Sequence, residues 1–173
     1  MRWMWIDQIV EFVDGERLSA IKNVSLAEEH LHDHFAADER FAAEPVMPSS
    51  LMIEGMAQTA GILVGAVNRF REKVVLAKIV KASITMEASP GATILYAATL
   101  DRIDAAGAAT SGQVSVRQGR DGTFTPVGAV DLMFSHIDHN LAGMEFPEEN
   151  FVFSDNFRTI LNAAGLDRLV PEA

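Results

Sequence analysis

Residues 51–70 are apolar on nearly every helical face: Leu51, Met52, Ile53, Met56, Ala57, Ala60, Ile62, Leu63, Val64, Ala66 and Val67. A surface helix would show one apolar stripe, so this pattern predicts a helix buried along most of its length. Pro48-Ser49-Ser50 precedes it. A serine before an apolar run predicts an N-cap, because its hydroxyl can accept an orphaned backbone N–H. Asn68, Arg69 and Arg71 mark the polar exit, where cations complement a helix C-terminus. On either side the period changes. Residues 3–13 are rich in aromatic and β-branched types and 17–25 alternate. With Asp14-Gly15 between them, they predict a hairpin. Residues 26–47 show no clean period and predict a long, partly helical loop. Beyond the helix, 74–79, 81–87, 93–104, 109–118 and 125–137 read as strands. Ser89-Pro90-Gly91, Ala106-Gly107 and Arg120-Asp121-Gly122 separate the later ones as turns. Residues 151–170 predict a short helix, capped by Ser154 or Asp155 and ending near Gly165. Short turns favour antiparallel pairing, and a helix buried all round needs a sheet that curls about it. The expected class is α+β, an antiparallel sheet wrapped around one long central helix.

Composition narrows the function. The 173 residues fit one domain with a tail, read as 1–140 and an extension over 141–173. Apolar residues make up 49% and charged residues 22%, ordinary for a globular protein. The absence of cysteine excludes disulfides, thiolate metal sites and a cysteine nucleophile. Met1–Asp7 has no long apolar core and does not read as a signal peptide. The stretch 51–67 is short for a membrane span and carries Glu54, so no membrane is expected and the location expected is cytoplasmic. A net charge of −10 without clustered Lys or Arg argues against nucleic acid. An acidic partner would need a local basic patch, and Arg69, Arg71, Lys73, Lys78 and Lys81 are its source.

Candidate chemistry concentrates between residues 23 and 63. His30, His32 and His34 fall one residue short of an H-x-H-x-D-H metal signature and lack its framework, so no metal and no cofactor are expected. His136 and His139 are expected to be solvated at the end of the last strand. Ser49 and Ser50 lack a Gly-x-Ser-x-Gly setting and do not read as nucleophiles. An acid inside an all-round apolar helix is costly unless it is used, which singles out Glu54. Gln58 lies one turn further on the same face.

Asn23-Val24-Ser25, His34-Phe35, Pro45-Val46-Met47-Pro48, Leu51-Met52-Ile53-Glu54-Gly55-Met56-Ala57-Gln58 and Ala60-Gly61-Ile62-Leu63 together resemble the hotdog-fold 3-hydroxyacyl-acyl-carrier-protein dehydratases. Their pattern runs N-V-[ST], then H-F-P-G-x-P-V-M-P-G, then L-x-x-E-A-M-A-Q-A-A-G-I-L. The resemblance implies a hotdog fold and dehydration of a 3-hydroxyacyl thioester to the trans-2-enoyl thioester, in fatty acid or related acyl chain synthesis. It implies His34 as base and Glu54 as acid, meeting across a homodimer with shared sites, further assembly left open. The Val46 carbonyl would orient the imidazole, and Phe35, Met47, Met52 and Met56 would line an acyl tunnel. The substrate would arrive on acyl carrier protein or CoA. Glutamate at position 54, where the isomerase branch carries aspartate, implies a dehydratase without isomerase activity.

The chemistry fits these residue types. Neutral His suits removal of the proton next to the carbonyl. A carboxyl on an apolar helix suits protonation of the departing hydroxyl. Backbone N–H groups at the helix N-terminus, from Ser49 and Ser50, suit the thioester oxygen. Two departures from the family pattern stand out. His34 and Pro45 lie eleven apart rather than five, an insertion of six residues. Counted back from Pro45, Arg40 and Phe41 take the His-Phe slots; counted from Asn23, His34 does. Ser49 replaces a glycine but keeps its N–H. The competing readings are a hotdog acyl thioesterase, which would not require His34, and a non-catalytic acyl-binding protein.

Overall fold

A computed structural model describes residues 3–33, 36–137 and 155–170. His34, Phe35, His139 and Ser154 lie outside the described residues. Strands β1 (Gln8–Val13) and β2 (Arg17–Asn23) form a hairpin, with Gly15 of its turn at a φ of 68°. The loop after β2 holds the short helix α1 (Glu29–Asp33). The long helix α2 (Ser49–Val67) follows, then β3 (Val74–Ile84), β4 (Ala92–Asp104), β5 (Gly107–Gln118) and β6 (Thr125–His136). Helix α3 (Asp155–Ala163) comes last before a short 3-10 turn. The six strands make one antiparallel sheet in the order β1-β2-β4-β5-β6-β3, and α2 packs on the inner face of all but β1.

The strand period of two puts alternate residues on α2. Ile94, Tyr96 and Ala98 of β4, Val114 and Val116 of β5, and Val130, Leu132 and Phe134 of β6 are buried. Helix and sheet interlock through missing side chains. A Cβ on Gly112 would lie 2.4 Å from the Met56 sulfur, and one on Gly55 would lie 2.3 Å from Cζ of Tyr96. Met56 therefore fills a notch in β5, and Tyr96 fills a notch in α2.

Several sequence expectations change. The serines do not cap α2. Pro48 holds the N-cap position, no side chain caps the helix, and Ser49 and Ser50 are its first two residues. The Pro48 carbonyl accepts from Leu51 and Met52, so the ladder begins after both serine N–H groups. The helix also stops at Val67 rather than Phe70. Phe70 N–H reaches the Gly65 carbonyl and Arg69 N–H reaches Ala66, a Schellman ending with Arg69 at a φ of 55° where glycine is usual. The same motif ends α3 through Gly165 and Leu166, there with the glycine in place.

The two strands expected at 74–79 and 81–87 are one. Register shifts at Leu76/Lys78 and Ile79/Lys81 show two bulges along β3, which break its alternation without ending its pairing to β6. At the N-terminus, Trp3–Ile6 is not strand. Its backbone groups pair with a side chain of α2 instead, as described below. His136 is not solvated: its side chain is 4% exposed and its Nδ1 lies 2.9 Å from the Glu72 carboxylate.

Candidate active site

Helical spacing puts Glu54, Ala57, Gln58 and Gly61 on one stripe of α2, at i, i+3, i+4 and i+7. The opposite face, with Met52, Met56, Ala60 and Leu63, is fully buried. The small residues on the stripe leave room, and a cavity of about 350 Å³ opens over it. Trp3 covers one part of its wall, Val74, Val75 and Leu76 of β3 another, and Phe134 and Phe157 the rest. Among the described residues Glu54 is thus the one acid in a mostly apolar lining, half-buried at the wall.

Its carboxylate is held from two sides. Trp3 Nε1 donates to Glu54 Oε1 at 3.0 Å, and Gln58 Nε2 donates to the same oxygen at 3.0 Å. The Gln58 amide also receives Trp5 N–H on its Oε1 at 2.9 Å and gives a longer bond, 3.2 Å, to the Trp3 carbonyl. One glutamine therefore satisfies two backbone groups of the N-terminal segment, Trp5 N–H and the Trp3 carbonyl, where residues 3–6 do not join the sheet. Trp3 and Trp5 stack edge-on, with centroids 5.4 Å apart, and Trp5 is buried.

The sequence-predicted residues are placed as follows. Glu54 and Gln58 share the cavity. Val46 and Met47 are buried, and Met47 is pinned to Ala88 by a backbone bridge, N to O at 2.8 Å. Met47, Met52 and Met56 are fully buried members of the hydrophobic core and are not among the residues lining the cavity. Ser49 is half-buried and Ser50 exposed. Residues 36–44, between the His34 and Pro45 of the family pattern, are all exposed, with Phe41 at 72%. Asp38 closes this segment on itself. Its Oδ1 accepts from Arg40 N–H and Phe41 N–H, both at 2.7 Å, and these bonds hold its carboxyl below the usual range. Sequence reasoning singled out only Glu54 and Gln58 of this lining; it missed the rest of the wall, Trp3, Phe134, Phe157 and the start of β3 among them.

A second polar group anchors the loop that leads to His34. Buried Lys22 of β2 lies 2.6 Å from Glu28, just before α1, and 3.1 Å from Asp7. Asp7 also accepts Asn23 N–H at 2.7 Å. Glu28 faces His30, whose ring packs edge-on against Trp5. Burial alone would lower the Lys22 ammonium, but the Glu28 hydrogen bond and the Asp7 charge outweigh it and hold the group above 10.5. A raised cation stabilises the fold fully below its unfolded value, and that contribution is lost as pH climbs through the folded one. Lys22→Met should cost about 2–3 kcal/mol, below the usual penalty for breaking a buried pair because Asp7 is partly exposed. Denaturant melts of both proteins should differ by a constant amount from pH 7 to 9, and the gap should narrow above pH 10.5.

The wrapped sheet and central helix define a hotdog-fold protein. A model of the FabA-like domain matches residues 2–123, and the chain belongs to this family of hotdog dehydratases. The 3-hydroxyacyl-[acyl-carrier-protein] dehydratase FabZ of Oenococcus oeni is 33% identical over 101 residues, 58% of this chain and 68% of that protein. The protein of the same name from Granulibacter bethesdensis is 44% identical over 62 residues, 36% of this chain and 33% of its own length. Among solved structures, the dehydratase heterocomplex ApeI:P from Xenorhabdus doucetiae aligns with a TM-score of 0.57 at 17% identity, covering 79% of this chain and 84% of that one, a likeness of fold.

Proposed function

We propose that this chain is a 3-hydroxyacyl-[acyl-carrier-protein] dehydratase, forming trans-2-enoyl thioesters for fatty acid or related acyl chain synthesis in the cytoplasm. The observation that carries the reading is Glu54: a carboxyl on the central helix, inside a mostly apolar cavity, in the E-x-M-A-Q block shared with the family. In this reading the His34 imidazole takes the proton from the carbon next to the carbonyl. Glu54 gives a proton to the departing hydroxyl, which leaves as water, and the double bond forms between the two carbons. The Ser49 and Ser50 N–H groups, which precede the helix ladder, receive the thioester oxygen as charge develops on it. The Val46 carbonyl orients the imidazole and Phe35 lies along the acyl path; Met47, Met52 and Met56, fully buried in the core, take no part in it.

A homodimer completes the site in the same reading. Strand β3 is the outer edge of the sheet next to the cavity, and it exposes Leu76 at 40%, Ile79 at 47% and Val80 at 54%. A long apolar edge is a liability in a monomer and a natural seam between two copies. Such a seam would bring the partner's histidine loop towards Glu54. Exposed Arg71, Lys78 and Lys81 near that edge suit an acidic carrier protein.

The test uses a 3-hydroxyacyl carrier-protein thioester and a saturated acyl thioester side by side. Formation of enoyl product without thiol release is expected. Thiol release from the saturated substrate would establish a thioesterase instead. His34→Ala should lower turnover by at least about 10²-fold, the lower bound for a general base, while Arg40→Ala stays within twofold. A larger loss in R40A than in H34A would assign the histidine slot to Arg40.

A further inference from the structure

Trp3 is 59% exposed yet makes a specific hydrogen bond across 51 positions of sequence, to the cavity acid Glu54. Its backbone is tied down by the Gln58 amide through the Trp3 carbonyl, and its ring rests edge-on against buried Trp5. The indole is thus anchored at its base and reaches over Glu54 with its only polar atom. Both donors, Trp3 Nε1 and Gln58 Nε2, converge on Oε1, and among the described residues none donates to Oε2.

That asymmetry has a chemical meaning. In a protonated carboxyl, one oxygen is the carbonyl and accepts only, while the other carries the hydrogen and donates it. Two N–H donors on Oε1 make it the acceptor in either protonation state. The proton is therefore directed to Oε2.

We infer that Trp3 is a positioning residue that, with Gln58, fixes Oε1 as the acceptor oxygen of Glu54 and leaves Oε2 as the atom that delivers the proton. The inference rests on the dehydratase reading for its role and on the hydrogen-bond geometry for its existence. Phenylalanine would fill the same wall and keep the contact with Trp5, but it has no N–H to offer.

Trp3→Phe in the full-length protein separates the N–H from the ring. The expected result is a fall of about tenfold in kcat for the enoyl thioester with KM within twofold, the effect of one hydrogen bond to a reacting group. The melting temperature should stay within about two degrees, since the ring remains. A kcat within twofold of wild type overturns the inference, and so does an equal rise in KM with kcat unchanged.

A second measurement needs no turnover. The chain has two tryptophans, so a nitrogen-15 spectrum carries two indole N–H signals, and the one missing in W3F belongs to Trp3. That signal should shift in Glu54→Ala while the Trp5 signal stays within its linewidth. An unmoved Trp3 signal overturns the inference even if the enzyme is active. If wild type turns over no 3-hydroxyacyl or enoyl thioester, the dehydratase reading and the proton-directing role fall together, and a shifted signal then establishes the Trp3–Glu54 bond alone.

Discussion

Glu54→Gln should lower dehydration and the reverse hydration by about 10³-fold, within the range that general acid catalysis contributes. The expectation comes from the position of the side chain. Among the described residues Glu54 is the one ionisable group in the cavity wall, and the rest of its stripe on α2 is Ala57, Gln58 and Gly61. None of the described residues beside it in that wall can replace its proton. Glutamine keeps the length and an acceptor oxygen, so Trp3 Nε1 and Gln58 Nε2 keep a partner and the fold should lose no more than about 1 kcal/mol. Steady-state rates and a thermal melt of E54Q decide it. Activity above a tenth of wild type would remove Glu54 from the chemistry. Loss of activity with a melt lowered by ten degrees would assign it a structural role.

Gly55→Ala should lower stability by about 3 kcal/mol, the upper end for overpacking a core. For a chain of this size that is a fall of roughly 6–12 °C in melting temperature. The new Cβ would meet Tyr96 at 2.3 Å from Cζ, 2.4 Å from the hydroxyl oxygen and 2.6 Å from Cε2. These are atoms of a rigid ring that is itself fully buried, so no free end of a chain can swing aside. In a Tyr96→Ala background the same change should cost under about 1 kcal/mol, because the space is then empty. Additive losses in the double mutant would show that the clash is not the cause. Tyr96→Phe should be neutral or stabilising by about 1 kcal/mol. Its hydroxyl has no hydrogen-bond partner among the described residues, and burial holds it neutral by pushing it above its ordinary pKa.

The large elements were legible because their signals are local or periodic. An all-round apolar run is a buried helix, and α2 is one, buried through most of its central turns. The turn at Asp14-Gly15 and the strands after the helix were legible for the same reason. What failed depended on partners far away in sequence. Ser49 reads as a cap, but Pro48 already supplies the extended backbone that starts the helix. Residues 3–6 read as strand, but their hydrogen bonds go to Gln58. His136 reads as a solvated end, but Glu72 lies beside it. At the site, Glu54 and Gln58 were legible from a spacing of four on one helix. Trp3 was not, because an aromatic in an apolar N-terminal run gives no sign that its N–H will meet a carboxylate.

The strand order also governs how the protein must be built. β2 pairs with β4 across the whole of α2 and β3, and β3 pairs with β6, the last strand of the sheet to be synthesised. Among the described residues β6 is its one neighbour. Until β6 arrives, β3 has neither edge covered, and Leu76, Ile79 and Val80 stand in water. Contacts this distant along the chain close slowly. During synthesis β3 is therefore the segment a chaperone or a stray β-strand would meet first, and the yield of native protein should respond to changes there before it responds to changes in the hairpin.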